Sequence, residues 1–64
     1  MDFAEKVKTA RSILNISQEK MAQLLGVSFS TVNRWEQRKA LPSYVAIQKF
    51  SAFCKEHSIK FEEQ

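Results

Sequence analysis

The stretch Gln18–Trp35, QEKMAQLLGVSFSTVNRW, decides how this chain folds. Small or apolar residues stand at Met21, Ala22, Leu25, Gly26, Val27, Val32 and Trp35, and polar residues fill almost every other position. Two short helices joined by a tight turn require this arrangement. Ala22 is small enough for the second helix of the pair to pack close against the first. Gly26 suits the corner, where the backbone takes a positive φ that other residues resist. Val27 plugs the inside of the turn, and Val32 and Trp35 face back into a core.

This is the spacing of a helix-turn-helix, whose second helix is expected to lie in the major groove of DNA. An ordinary helical hairpin is the bland alternative, but it would not require so many positions to match. Composition narrows the reading further. The 64 residues are expected to form one small domain over 1–64, near the lower limit for folding without disulfides or metal. An apolar content of 44% suffices for one compact core. A lone Cys54 excludes an internal disulfide and a metal cluster, which fits a reducing cytoplasm. The N-terminus has no signal-peptide pattern, and no apolar run approaches the length that spans a membrane. The net charge of +3 is compatible with nucleic acid and decides nothing alone.

Outward from the central stretch the chain reads as helix. Asp2 is placed to cap a first helix, with Glu5 completing a capping-box-like pair. Phe3, Val7, Ala10 and Leu14 then fall at helical spacing as its buried stripe. Asn15-Ile16 turns the chain, and Ser17 caps a second helix over about Gln18 to Leu25. Ser28 caps a third, running from about Phe29 to Gln37. Residues 38–42 form a loop, because the residue before a proline disfavours helix. A fourth helix begins near Pro42-Ser43, carries Ile47, Phe50, Ser51 and Cys54 on one face, and ends around Glu56 to His57. Val45 and Phe53 fall off that stripe, to be covered by Phe61 or by a second copy of the chain. Ile59 and Phe61 alternate with Lys60 and Glu62, which predicts a short extended tail.

The third helix carries the chemistry. At about 100° per residue, Val32 and Trp35 define its buried side. Ser30, Asn33, Arg34 and Gln37 share the opposite side, and all are hydrogen-bonding types. Such a face suits base edges: Arg pairs with guanine O6 and N7, and Asn or Gln with adenine, while Ser30 suits a base or a phosphate. A plain solvated helix face has the same pattern, so its place in the helix-turn-helix is what lends it weight. Glu36 would repel phosphate if it faced outward, but the angular count sets it beside Val32. Arg11 occupies the equivalent edge of the first helix, so an Arg11–Glu36 ion pair is expected to tie the two helices together and orient the third.

The chain resembles the lambda-type repressor/Cro (Xre) family of helix-turn-helix regulators over about Lys8 to Cys54. The resemblance rests on ARSILNISQEKMAQLLGVSFSTVNRWE, on Pro42 before the fourth helix, and on the Ile47/Phe50/Cys54 spacing. It implies an all-α, lambda repressor-like fold of four short helices, or five, around one core, with the short tail last. It also implies that Phe29, Ser30, Asn33, Arg34 and Gln37 meet bases. Gln18, Ser28, Thr31, Arg38 and Lys39 would meet phosphates, with Gln18 also bracing the third helix. Members of that family share the Arg11–Glu36 pair. The chain departs from the family pattern in three places. Gln37-Arg38-Lys39 replaces the usual glycine near the end of the third helix, so either that helix ends differently or Arg38 adopts an uncommon conformation. Phe29 stands where a polar reader is common, and either touches a thymine methyl or packs on the protein. No fifth helix is evident after His57.

The expected function is therefore sequence-specific binding of double-stranded DNA by a prokaryotic or phage transcriptional regulator, a repressor acting as a homodimer on a pseudopalindromic operator. The alternatives are an antitoxin that represses its own operon, and a protein-interaction adaptor on the same fold. With one His, one Cys and no glycine-rich loop, the sequence offers no nucleophile–base pair, metal site or cofactor site, so no enzyme is expected. His57 reads as a helix-end residue, and Cys54 as a small core residue.

Overall fold

A computed structural model describes residues 1–61. It contains α1 (Phe3–Leu14), α2 (Gln18–Leu25), α3 (Phe29–Glu36) and α4 (Tyr44–Glu56), and no strand among the described residues. The expected positions of Glu62 to Gln64 in the tail lie outside those residues.

All four helices start in the same way. Asp2, Ser17, Ser28 and Ser43 take extended backbone angles, and their side-chain oxygens accept from the backbone N–H groups of Glu5, Lys20, Thr31 and Ala46. These bonds measure 2.9, 3.0, 3.1 and 3.1 Å. Each satisfies a donor that the helix itself leaves without a partner.

They also end in the same way. Asn15, Gly26, Arg38 and Ser58 have φ of 54, 71, 59 and 57°. The next residue donates its N–H back across the last turn: Ile16 to Arg11 O at 3.0 Å, Val27 to Ala22 O at 3.0 Å, Lys39 to Arg34 O at 2.9 Å and Ile59 to Cys54 O at 2.8 Å. This left-handed closure favours glycine, yet only Gly26 supplies one. The other three closures use non-glycine residues and bear the steric cost of the left-handed conformation.

Those closures deliver three apolar anchors. Ile16, Val27 and Ile59 follow the left-handed residues and pack against the core of Val7, Ala10, Met21, Ala22, Leu25, Val32, Trp35, Ala46, Phe50, Phe53 and Cys54. Phe3 bridges the layers edge-on, its ring 5.2 Å from Trp35 of α3 and 5.2 Å from Phe50 of α4.

Two details differ from the periodicity argument. Helix α3 ends at Glu36, one residue early, and Arg38 takes the left-handed conformation, so both consequences of the missing glycine occur together. On α4 the buried stripe is Ala46, Phe50, Phe53 and Cys54, whereas Ile47 and Ser51 are exposed. Both stripes have helical spacing and share Phe50 and Cys54. Phe53 decides between them: it is buried in the same core cluster as Leu25 of α2, which rotates Ile47 outward. Val45 remains exposed, and Phe61 stacks on Phe50 with ring centroids 6.2 Å apart. Residues 59–61 follow Ser58 without regular structure, and Ile59 is buried. No helix among the described residues is long and apolar enough to cross a membrane.

Candidate nucleic-acid interface

Helices α2 and α3 meet through the turn Gly26–Ser28, and polar side chains lock them to α1. Arg11 on α1 donates from Nε to Glu36 Oε2 at 2.6 Å and from Nη2 to Glu36 Oε1 at 2.9 Å. Its Nη1 donates to the Ile16 carbonyl at 3.1 Å, which ties the α1–α2 connection into the same fork. Gln18, the first residue of α2, donates from Nε2 to Glu36 Oε1 at 3.0 Å. Its Oε1 accepts from Asn33 Nδ2 at 3.2 Å. A continuous chain of hydrogen bonds thus runs from the Ile16 carbonyl through Arg11, Glu36 and Gln18 to Asn33.

The electrostatics follow from burial. Glu36 is 5% exposed and Arg11 25% exposed. Burial alone pushes the Glu36 carboxyl upward, but hydrogen bonds from Arg11 and Gln18, with the charges of Arg11 and Lys8, outweigh it and hold the group below its usual range. The same carboxylate raises the Arg11 guanidinium. Glu36 therefore stays ionised at neutral pH without presenting its charge to solvent.

Beyond this brace lies an outward face. Phe29 is 49% exposed, Ser30, Arg34 and Gln37 are exposed, and Asn33 is half-buried. Together with Lys39 they line one shallow depression. The bond from Asn33 Nδ2 to Gln18 uses one amide hydrogen, leaving the other hydrogen and Oδ1 for an outside partner. Ser28 caps α3, and its hydroxyl shares a 2.8 Å hydrogen bond with that of Thr31. Phe29 is not among the side chains packed on the core, and about half of its surface is open to solvent.

The basic pair after α3 divides. Lys39 is exposed beside this outward face, whereas Arg38 turns toward α1. Its Nε donates to Asp2 Oδ2 at 2.8 Å and its Nη2 to Asp2 Oδ1 at 3.2 Å. The Asp2 carboxyl is lowered mainly by that hydrogen bond, and the guanidinium is raised in return. Asp2 thus holds the N-terminus of α1 and the loop after α3 together. The sequence marks Asp2 as a cap but has no signal for this second role across 36 positions. Lys49 on α4 was likewise unforeseen: its Nζ lies 4.0 Å from where a β-carbon on Gly26 would stand, near the C-terminal end of α2, where a cation is favourable. The His57 ring lies 4.4 Å from that of Phe53, and Cys54 is a buried free thiol whose pKa burial raises.

Comparison with known proteins agrees with this fold. The helix-turn-helix family model matches residues 3–59. An HTH-type transcriptional activator of Enterococcus faecalis, BcrR, is 34% identical over 53 residues, covering 83% of this chain and 26% of that protein. The chain thus spans about a quarter of that relative's length. No solved structure matches.

Proposed function

Because the chain belongs to the lambda-repressor/Cro (Xre) type of helix-turn-helix family, we propose that it binds double-stranded DNA sequence-specifically and regulates transcription, with α3 as the reading helix. One observation carries the proposal. The outward face of α3, with the residue that caps its end, offers Ser30, Asn33, Arg34 and Gln37 and no carboxylate, while the acid of that helix, Glu36, is buried in the brace behind it. Arg34 has the fork that pairs with guanine, and Asn33 keeps the donor and acceptor that pair with adenine. Phe29 opens the face. Gln18, Ser28, Thr31, Arg38 and Lys39 border it and serve the flanking phosphates, which fix position without reading sequence. Arg38 must leave Asp2, or share it, to do so.

The domain acts as a two-fold dimer on a pseudopalindrome whose half-sites lie about 34–36 Å apart. Exposed Tyr44, Val45 and Ile47 at the start of α4 support a second copy packing there. The output is repression, through occlusion of a promoter. Activation, the printed role of the relative from Enterococcus faecalis, is the second reading, and three quarters of that protein lie beyond the shared segment. An adaptor role on this fold would use the exposed α4 side chains instead. Added duplex would then leave the amide signals of residues 28–39 unchanged.

The test is a selection from random duplexes at about 100 mM salt, with Arg34→Ala in parallel. A recovered pseudopalindrome, with the preference relaxed at one position by Arg34→Ala and about 1–3 kcal/mol of affinity lost, supports the reading. Equal losses on every sequence would remove Arg34 from the base readers. No enrichment at all would move the function to the adaptor class.

A further inference from the structure

We infer that Phe29 makes this domain a reader of the C5-methyl group of pyrimidines, whether the methyl belongs to thymine or to 5-methylcytosine. The inference rests on α3 being the base-reading helix and adds what one edge of it reads. Phe3, Phe50, Phe53 and Phe61 all make ring contacts inside the protein. Phe29, the remaining phenylalanine, stands outside the core at the first position of α3 and is 49% exposed. The other residues lining its depression, Ser30, Asn33, Arg34, Gln37 and Lys39, are all polar. The Ser28 cap, 3.1 Å from Thr31 N, fixes the first turn and so the position from which the ring projects.

A phenyl ring has no donor or acceptor, so it cannot read the hydrogen-bonding pattern of a base pair. The one apolar group on a major-groove base edge is the thymine C5-methyl. A 5-methylcytosine carries the same group on the same ring atom. Phe29 is therefore blind to the difference between the thymine oxygen and the cytosine amine, and responds to the methyl alone. At the base it faces, T·A and 5-methylcytosine·G gain from the ring, and U·A and C·G do not. Cytosine methylation at that position strengthens binding rather than blocking it.

The selected operator provides the test. Each pyrimidine is replaced in separate duplexes to give the T/U pair opposite adenine and the 5-methylcytosine/cytosine pair opposite guanine. Dissociation constants are measured by fluorescence anisotropy for the unaltered protein and for Phe29→Ala, whose folding is checked by circular dichroism. At one position in each half-site, removing the methyl should weaken the unaltered protein about fourfold per methyl in both pairs. It should leave Phe29→Ala unaffected. A selected operator indifferent to methyl removal, or a methyl effect of equal size in Phe29→Ala, overturns the inference and leaves sequence reading by α3 intact. Failure to select any operator overturns the base-reading assignment itself, and this inference with it.

Discussion

The end of α3 is joined to α1 by two arginine–carboxylate forks of the same chemistry in opposite surroundings. Arg11–Glu36 is nearly enclosed, with side chains 25% and 5% exposed, and Oε1 of its carboxylate accepts a further bond from Gln18 Nε2. Arg38–Asp2 is open to solvent, at 53% and 52%. Their lengths are close, 2.6 and 2.8 Å, so length says little about what either contributes. Water decides it. An exposed pair exchanges good hydration for a contact of about equal worth. A buried pair, once formed, cannot lose one member without stranding the other. The enclosed fork therefore fixes the orientation of α3, and the open fork acts as a loose tether on the loop that follows it.

The largest effect that would break this contrast is loss of one partner in the enclosed fork. Arg11→Ala or Glu36→Ala should each cost about 3 kcal/mol in urea unfolding, whereas Arg11→Met combined with Glu36→Leu should recover much of that loss. A single substitution costing no more than a surface pair would show that the fork is hydrated in solution. The second effect is acid sensitivity. Glu36 titrates below its unfolded-state value, so its contribution is complete at neutral pH. That contribution declines once pH falls past the ordinary glutamate range and is gone below the depressed folded value. Glu36→Gln should flatten this acid limb of stability, and an unchanged limb would assign it to other carboxylates.

A smaller effect separates backbone from side chain at the open fork. Arg38 combines a left-handed backbone with an ion pair, whereas Ser58 has nearly the same φ and a side chain without charge. Ser58→Gly should raise stability by up to about 1 kcal/mol, which calibrates the backbone part alone. The smallest effect is that of Asp2→Asn, which keeps the cap and removes the charge. Thermal unfolding should be unchanged at physiological salt. Affinity for all duplexes should rise alike, because phosphate no longer competes with a carboxylate for Arg38. A clear loss of stability would mean that the tether is stronger than its exposure implies.

Much of the fold was legible because it is governed by local rules. Ser17, Gly26 and Ser28 bracket α2 and the turn by their own conformational preferences, and Asp2 and Asn15 do the same for α1. The stripe on α4 was misassigned because Phe50 and Cys54 serve two helical registers equally. Only contact with another element chooses between them. In the candidate interface, the angular count placed Glu36 beside Arg11, and the resemblance pointed to Gln18 as a brace. The bond from Asn33 to Gln18 and the turn of Arg38 toward Asp2 depend on side-chain reach between elements far apart in sequence, for which no periodicity exists.

Three of the four left-handed helix closures hand the chain to an apolar anchor, Ile16, Val27 or Ile59. The closure after α3 hands it to Lys39, which is exposed, and Leu41 two residues on is 94% exposed. The segment 38–42 is held by the Asp2 tether and the modest packing of Ala40. It can lift away with little apolar surface uncovered, so its opening is a local event of low free energy, separate from global unfolding. If α3 reads bases as proposed, Arg38 and Lys39 thus sit on a segment that rearranges at little cost, and they can settle on an irregular phosphate backbone while α3 stays fixed.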